Sequence, residues 1–255
     1  MSGEPIQPPV PPETAPPAPP QRDPFWSYSD LALFLGLTFP ILLMSWGVVR
    51  GAMALFHLPN TSSAAEALSE QFVFYVLLFL ALRMIFLVEY DRPLWRSLAW
   101  LPVRLPILTI VMLGILTALG VVLASYLLRT PDVANPMTEM MREPRSLILM
   151  AIFGVTLAPI CEELAFRGFL QPLLVRSLGV APGIALAGAA FGMLHFHEYG
   201  NSWRHAVVIT LAGVSFGAMR QITNSTKASA IMHSAYNGFL FLALFAQRQD
   251  LPHLW

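Results

Sequence analysis

Residues 158–170, APICEELAFRGFL, hold two adjacent glutamates and an arginine inside an otherwise apolar run. Two further pairs follow at helical spacing: Phe191 and His195 in FGMLH, then His233 and Asn237 in HSAYN. Residues four apart share one face of a helix. A carboxylate beside an imidazole can hold a water molecule and take its proton, and an imidazole with a side-chain amide can donate hydrogen bonds to a developing oxyanion. Glu162, His195, His233 and Asn237 together therefore have the makings of a hydrolytic site. Glu162, His195 and His233 also amount to one carboxylate and two imidazoles, the ligand types of hydrolytic zinc centres that keep a position open for water. The HExxH spacing, with both histidines on one helix, is absent. Metal-free glutamate catalysis, with no cofactor required, is preferred, and a divalent metal such as zinc is the alternative.

The two glutamates need not share a purpose. Each carboxylate at the centre of a membrane helix costs about 2.5–3.5 kcal/mol unless partnered. Glu163 and Arg167 are four apart and can pair within the helix as a buried brace. Glu162 points about 100° away from Glu163 and needs another partner. Residues 177–183, SLGVAPG, read as a turn between antiparallel helices, with Gly179 as a stop and Pro182 near a start. Glu162 lies as far before the centre of that turn as His195 lies after it, so the two come level in a helical hairpin. His233 fits this depth less well, because it begins only a short way past the polar turn QITNSTK.

The elements that must carry these residues are membrane helices. The chain has 255 residues, 56% hydrophobic and only 12% charged, roughly half the charged fraction of soluble domains. Lys plus Arg and Asp plus Glu are balanced at 15 each, so no basic excess points to nucleic acid. Apolar stretches near the length of about 20 residues that crosses a bilayer fall at 29–49, 71–89, 105–128, 146–176, 181–199, 206–220 and 227–247. The predicted fold is all-α: a polytopic membrane bundle of about seven helices, within a range of six to eight, around a buried polar site. The first stretch lacks a basic flank and a small-residue cleavage site and is expected to be retained. Residues 1–28 are expected to form a Pro-rich disordered tail, 29–248 the transmembrane domain with its motif core at 146–247, and 249–255 a short C-terminal tail. A slight surplus of Lys and Arg favours a cytoplasmic N-terminus. Cys161, the single cysteine, is expected to be a packing residue.

At its polar motifs the sequence resembles the CPBP family of intramembrane proteases, which includes the CAAX prenyl endopeptidases. The resemblance rests on EExxxR at Glu162, Glu163 and Arg167, FxxxH at Phe191 and His195, and HxxxN at His233 and Asn237, in that order and each within a membrane segment. It implies an α-helical membrane endopeptidase in which Glu162 and His195 activate water and His233 and Asn237 support the oxyanion. Glu163, Arg167 and Phe191 would then organise the site. The implied substrate is a membrane protein or peptide met in or beside the lipid bilayer, with lipid modification left open. Two other classes use the same residues: a non-catalytic binding protein of the same fold, such as an immunity or scaffold factor, and a proton-coupled transporter. No internal repeat or pair of broken helices supports the transporter.

Overall fold

The computed structural model describes residues 23–57, 62–133 and 139–247. The expected Pro-rich tail as far as residue 22, and the C-terminal segment 249–255, lie outside the described residues. Every regular element among the described residues is helical. The helices are α1 (Tyr28–Leu55), α2 (Ser63–Tyr90), the single turn α3 (Leu94–Ser97), α4 (Ile107–Leu128), α5 (Pro144–Val155), α6 (Leu157–Glu163), a π-helical segment (Leu164–Leu170), α7 (Gln171–Leu178), α8 (Val180–Leu194), α9 (Trp203–Thr223) and α10 (Thr226–Gln247).

Among the described residues six stretches are long and apolar enough to cross a membrane: α1, α2, α4, the composite Pro144–Leu178, α9 and α10. The segment expected to be a crossing at 181–199 is instead the shorter helix α8, which ends at Leu194. His195 caps it, and residues 195–202 form a turn-rich loop with positive φ at Gly200 and Asn201. The protein is thus an integral, multi-pass helical bundle.

The outer helices wear their apolar residues outward. Phe39 and Trp46 on α1, Val76 on α2, and Leu116 and Leu123 on α4 are all exposed, as suits side chains that face lipid tails. Local chemistry sets the ends. Ser27 caps α1 with its backbone N–H and hydroxyl, both donating to Asp30 Oδ2 at 2.8 Å, and Tyr90 at the end of α2 donates to the same oxygen at 2.6 Å. Pro144 starts α5 in its first turn, where a missing N–H is harmless. Pro159 then breaks the helix. Its ring cannot accept the carbonyl four residues back, that of Val155, where α5 stops.

Two packed clusters flank the motif helix. Phe34, Leu78, Leu82 and Phe86 of α1 and α2 pack with Leu164, Phe169 and Leu173. Trp26, four residues inside the described region, joins them and donates from Nε1 to the Phe169 carbonyl at 3.1 Å. On the other side Ile110 and Ala118 of α4 pack with Ala212 and Phe216 of α9 and Met232 and Tyr236 of α10.

Helices α8 and α9 approach so closely that their glycines are required. A Cβ on Gly188 would sit 2.8 Å from the Val214 backbone nitrogen, and one on Gly213 would sit 3.0 Å from Gly188 Cα. Such small-residue seams let membrane helices gain contact that the hydrophobic effect does not supply within lipid. Gly188→Val is therefore expected to force the two helices apart and destabilise the bundle by about 1–3 kcal/mol. A thermal melt in detergent would register it as a lowered midpoint, and an unchanged midpoint would mean the seam is slack.

Candidate active site

Glu163 is fully buried, and its carboxylate is the hub of a network across three helices. Oε1 accepts from Arg167 Nη1 at 2.9 Å and from His233 Nδ1 at 3.0 Å, while Oε2 accepts from the Ser229 hydroxyl at 2.6 Å. The i,i+4 pairing of Glu163 with Arg167 expected from spacing is present. What spacing did not reveal is that the same carboxylate also holds His233 and Ser229 on α10.

Arg167 is equally buried. Its Nη2 donates to the Gly213 carbonyl at 2.7 Å, and its guanidinium lies over the Phe191 ring, 4.6 Å from the centroid. One turn on, Gln171 Nε2 donates to the Gly217 carbonyl at 3.0 Å. Two side chains four residues apart thus engage two α9 carbonyls four residues apart. Both acceptors are glycines because a Cβ at 213 would come 3.2 Å from Arg167 Nη2, and one at 217 would come 2.7 Å from Gln171 Oε1. Arg167 sits in the π-helical segment, whose i→i+5 bonding widens the turn. Such π segments concentrate at functional sites.

Glu162 faces away from this hub into a cavity of about 770 Å³. The imidazole that reaches it is His233, with Nε2 3.8 Å from Glu162 Oε2. His233 meets Glu162 even though it lies only a short way past the polar turn, and the start of α10 is tied to the segment before α4. Thr226 donates its N–H to the Ala99 carbonyl at 2.9 Å and its hydroxyl to Leu98 at 2.6 Å, and Ser225 donates to Leu101 at 2.8 Å. Ser225 and Thr226 are fully buried. The polar turn is therefore covered by residues 98–101, and His233, two turns into α10, meets Glu162.

His195 and Asn237 line the same cavity. His195 Nδ1 lies 2.9 Å from the Phe191 carbonyl. A carbonyl only accepts, so Nδ1 carries the proton and Nε2 is left for other work. The same logic applies to His233, whose Nδ1 donates to the Glu163 carboxylate. Asn237 Nδ2 donates to the Gly154 carbonyl at 2.7 Å, in the turn broken by Pro159, and keeps one amide hydrogen for another acceptor. Phe191 is buried and packs its ring against His195, His233 and Arg167. Cys161 is buried in the cavity wall.

Several residues outside the three motifs also line the cavity. Tyr75 on α2 sets its hydroxyl beside the Glu162 carboxylate and the Gln71 side chain. Its signal was the Gln71/Tyr75 pair, four apart in a span that otherwise reads as uniformly apolar. Ser229 extends the His233/Asn237 spacing back by one turn, and that repeat was also readable. Glu198 and Tyr199 enter from the loop after α8. Burial pushes the Glu198 carboxyl above the usual carboxylate range, with His195 opposing and Glu162 reinforcing the rise. Burial, aided by the Glu198 and Glu162 carboxylates, likewise pushes the Tyr199 phenol up to about 12. His197, by contrast, turns aside to Asn201, with Nδ1 3.3 Å from Oδ1.

The alternative ligand set Glu162, His195 and His233 does not meet as a metal cluster. Among the described residues no three His, Cys, Asp or Glu side chains are arranged to hold a metal ion, although the Nδ1 bonds of both imidazoles to protein acceptors are also how metal-ligating histidines are held. No step below runs through a metal.

Residues 144–239 match the family model for type II CAAX prenyl endopeptidase Rce1-like proteins. The match runs from the start of α5 through most of α10 and contains all seven motif residues, while α1, α2 and α4 fall outside it. No curated protein and no solved structure matches the chain.

Proposed function

We propose that this chain, whose residues 144–239 match the Rce1-like family model, is a CAAX-type intramembrane protease that cleaves peptide bonds with a water molecule activated by Glu162. The observation that carries the mechanism is the division of labour between adjacent carboxylates. Glu163 is consumed by Arg167, His233 and Ser229, whereas Glu162 faces the cavity beside His233 Nε2. A carboxylate tied up by three donors is a poor base, and the one turned toward the cavity is free to take a proton.

In this mechanism water binds between Glu162 and His195. Glu162 takes a proton as the water oxygen attacks the scissile carbonyl carbon. The carbonyl π electrons move to oxygen, and the resulting oxyanion is held by the remaining Asn237 amide hydrogen and by His233 Nε2. Donation from Nε2 requires the doubly protonated ring, since Nδ1 already donates to Glu163. Collapse of the tetrahedral intermediate breaks the C–N bond, and the proton on Glu162 passes to the departing amine. Atoms and charges balance without another reactant.

The family match and the lining of the cavity support a substrate class. The cavity wall combines the polar groups of Glu162, His195, His233 and Asn237 with the apolar side chains of Phe34 and Leu35 of α1 and Phe74 and Leu78 of α2. A peptide held at the polar groups with an adjoining hydrophobic group against the apolar wall suits that lining, as a CAAX-terminal peptide carrying a lipid would. The test is cleavage of such a peptide by the purified chain in nanodiscs, with the products read by mass spectrometry. Wild-type protein is expected to release the terminal peptide, and Asn237→Ala to do so about 10²–10³-fold more slowly, the usual cost of one oxyanion donor. Wild-type rate in Asn237→Ala would remove the amide from the mechanism, and no cleavage of any membrane peptide would favour a binding protein of the same fold.

A further inference from the structure

A second cavity lies on the opposite side of α10 from the catalytic groups. It is a groove of about 580 Å³ between α4 and α10, walled by Val111, Ile115, Ile231, Phe239 and Leu242, with Gly238 in its floor. Trp100 and Lys227 stand at one end. From Lys227 to Leu242 the groove follows α10 for about 22 Å, somewhat more than the depth of one leaflet of a hydrocarbon core, about 15 Å.

The Lys227 end carries charge that the protein leaves uncompensated. Arg96, Arg104 and Lys227 are exposed, and none of them makes an ion pair among the described residues. They belong to one locality, because the start of α10 is bonded to residues 98–101, between the two arginines in sequence. Trp95 and Trp100 pack together in the same segment, ring centroids 5.9 Å apart. Paired tryptophans beside basic residues mark the headgroup level of a bilayer.

We propose that this groove is a binding site for an anionic glycerophospholipid. Its phosphate pairs with Arg96, Arg104 and Lys227, and one acyl chain lies along α10 between α4 and the Val155–Ile160 wall. Charge complementarity selects the headgroup, and the depth of the groove matches a chain descending from that headgroup. A lipid held there would back the helix that presents His233 and Asn237 from the other face.

Native mass spectrometry of the full chain, released from nanodiscs of phosphatidylcholine with or without phosphatidylglycerol, tests the site. Wild type is expected to retain one phosphatidylglycerol per chain. Substituting Arg96, Arg104 and Lys227 with glutamine is expected to weaken retention roughly fivefold per charge removed. Gly238→Leu, which fills the floor, is expected to abolish retention of either lipid. Ile115→Trp fills the groove from α4 and gives the same readout if Gly238→Leu does not fold. Retention unchanged by both kinds of variant would reduce the lipid to an annular one and overturn the site. So would a dimer mass with no lipid, which would make the groove a surface between two copies.

Discussion

Glu162→Gln is expected to lower the rate of peptide cleavage by roughly 10²–10⁴-fold, the range lost when a general base is removed, while the folded protein keeps its place in the membrane. The two effects separate because of what each carboxylate touches. Glu162 is only partly buried and faces the cavity, so an isosteric amide there costs the bundle little. It cannot, however, accept and return a proton. The nearby groups do not substitute. His233 has Nδ1 committed to Glu163, and Tyr75 beside Glu162 carries a neutral phenol, which has a proton to donate and no basic site to take one from water. Cleavage in nanodiscs, measured beside the thermal midpoint of the same preparation, decides the matter. An active Glu162→Gln protein would exclude this residue as the base, and an inactive but unfolded one would point instead to a packing role.

Glu163→Ala is expected to do the reverse and strike stability first. It leaves the Arg167 guanidinium buried at 0% exposure without its carboxylate and removes the acceptor for both His233 and Ser229. Breaking one side of such a pair typically costs about 3–5 kcal/mol, because the surviving charge is stranded away from water. Glu163→Leu combined with Arg167→Met, which removes both charges and keeps similar volume, is expected to melt above Glu163→Ala. That ordering identifies the stranded charge as the cause. If the double variant melts lower than the single one, the loss comes from packing and not from charge. The double variant should still be inactive, because His233 loses the acceptor that fixes its ring.

Much of this site could be read from linear spacing because helices convert spacing into direction. Four residues between Glu163 and Arg167 was enough to foresee their ion pair, and one residue between Glu162 and Glu163 was enough to foresee that they diverge. The apolar runs also marked six of the crossings, since the bilayer imposes a minimum length on each. The fifth run, 181–199, is a helix as expected but a shorter one, because its last five residues, HFHEY, belong to the turn after α8. His195 and the turn-rich loop 195–202 end the helix at Leu194, and hydropathy does not register a cap.

What the sequence determined by itself was the set of polar groups and, through the 3.6-residue period, which of them share a helix face. Tertiary structure decided who meets whom across helices. His233 reaches Glu163 and Glu162 because residues 98–101 bury the start of α10. Tyr75 reaches Glu162 because α2 lies against the other wall of the cavity. Arg167 reaches α9 because Gly213 has no side chain to hold it off. Depth and interhelical register arise from packing between segments far apart in the chain, and no periodicity within one segment encodes them.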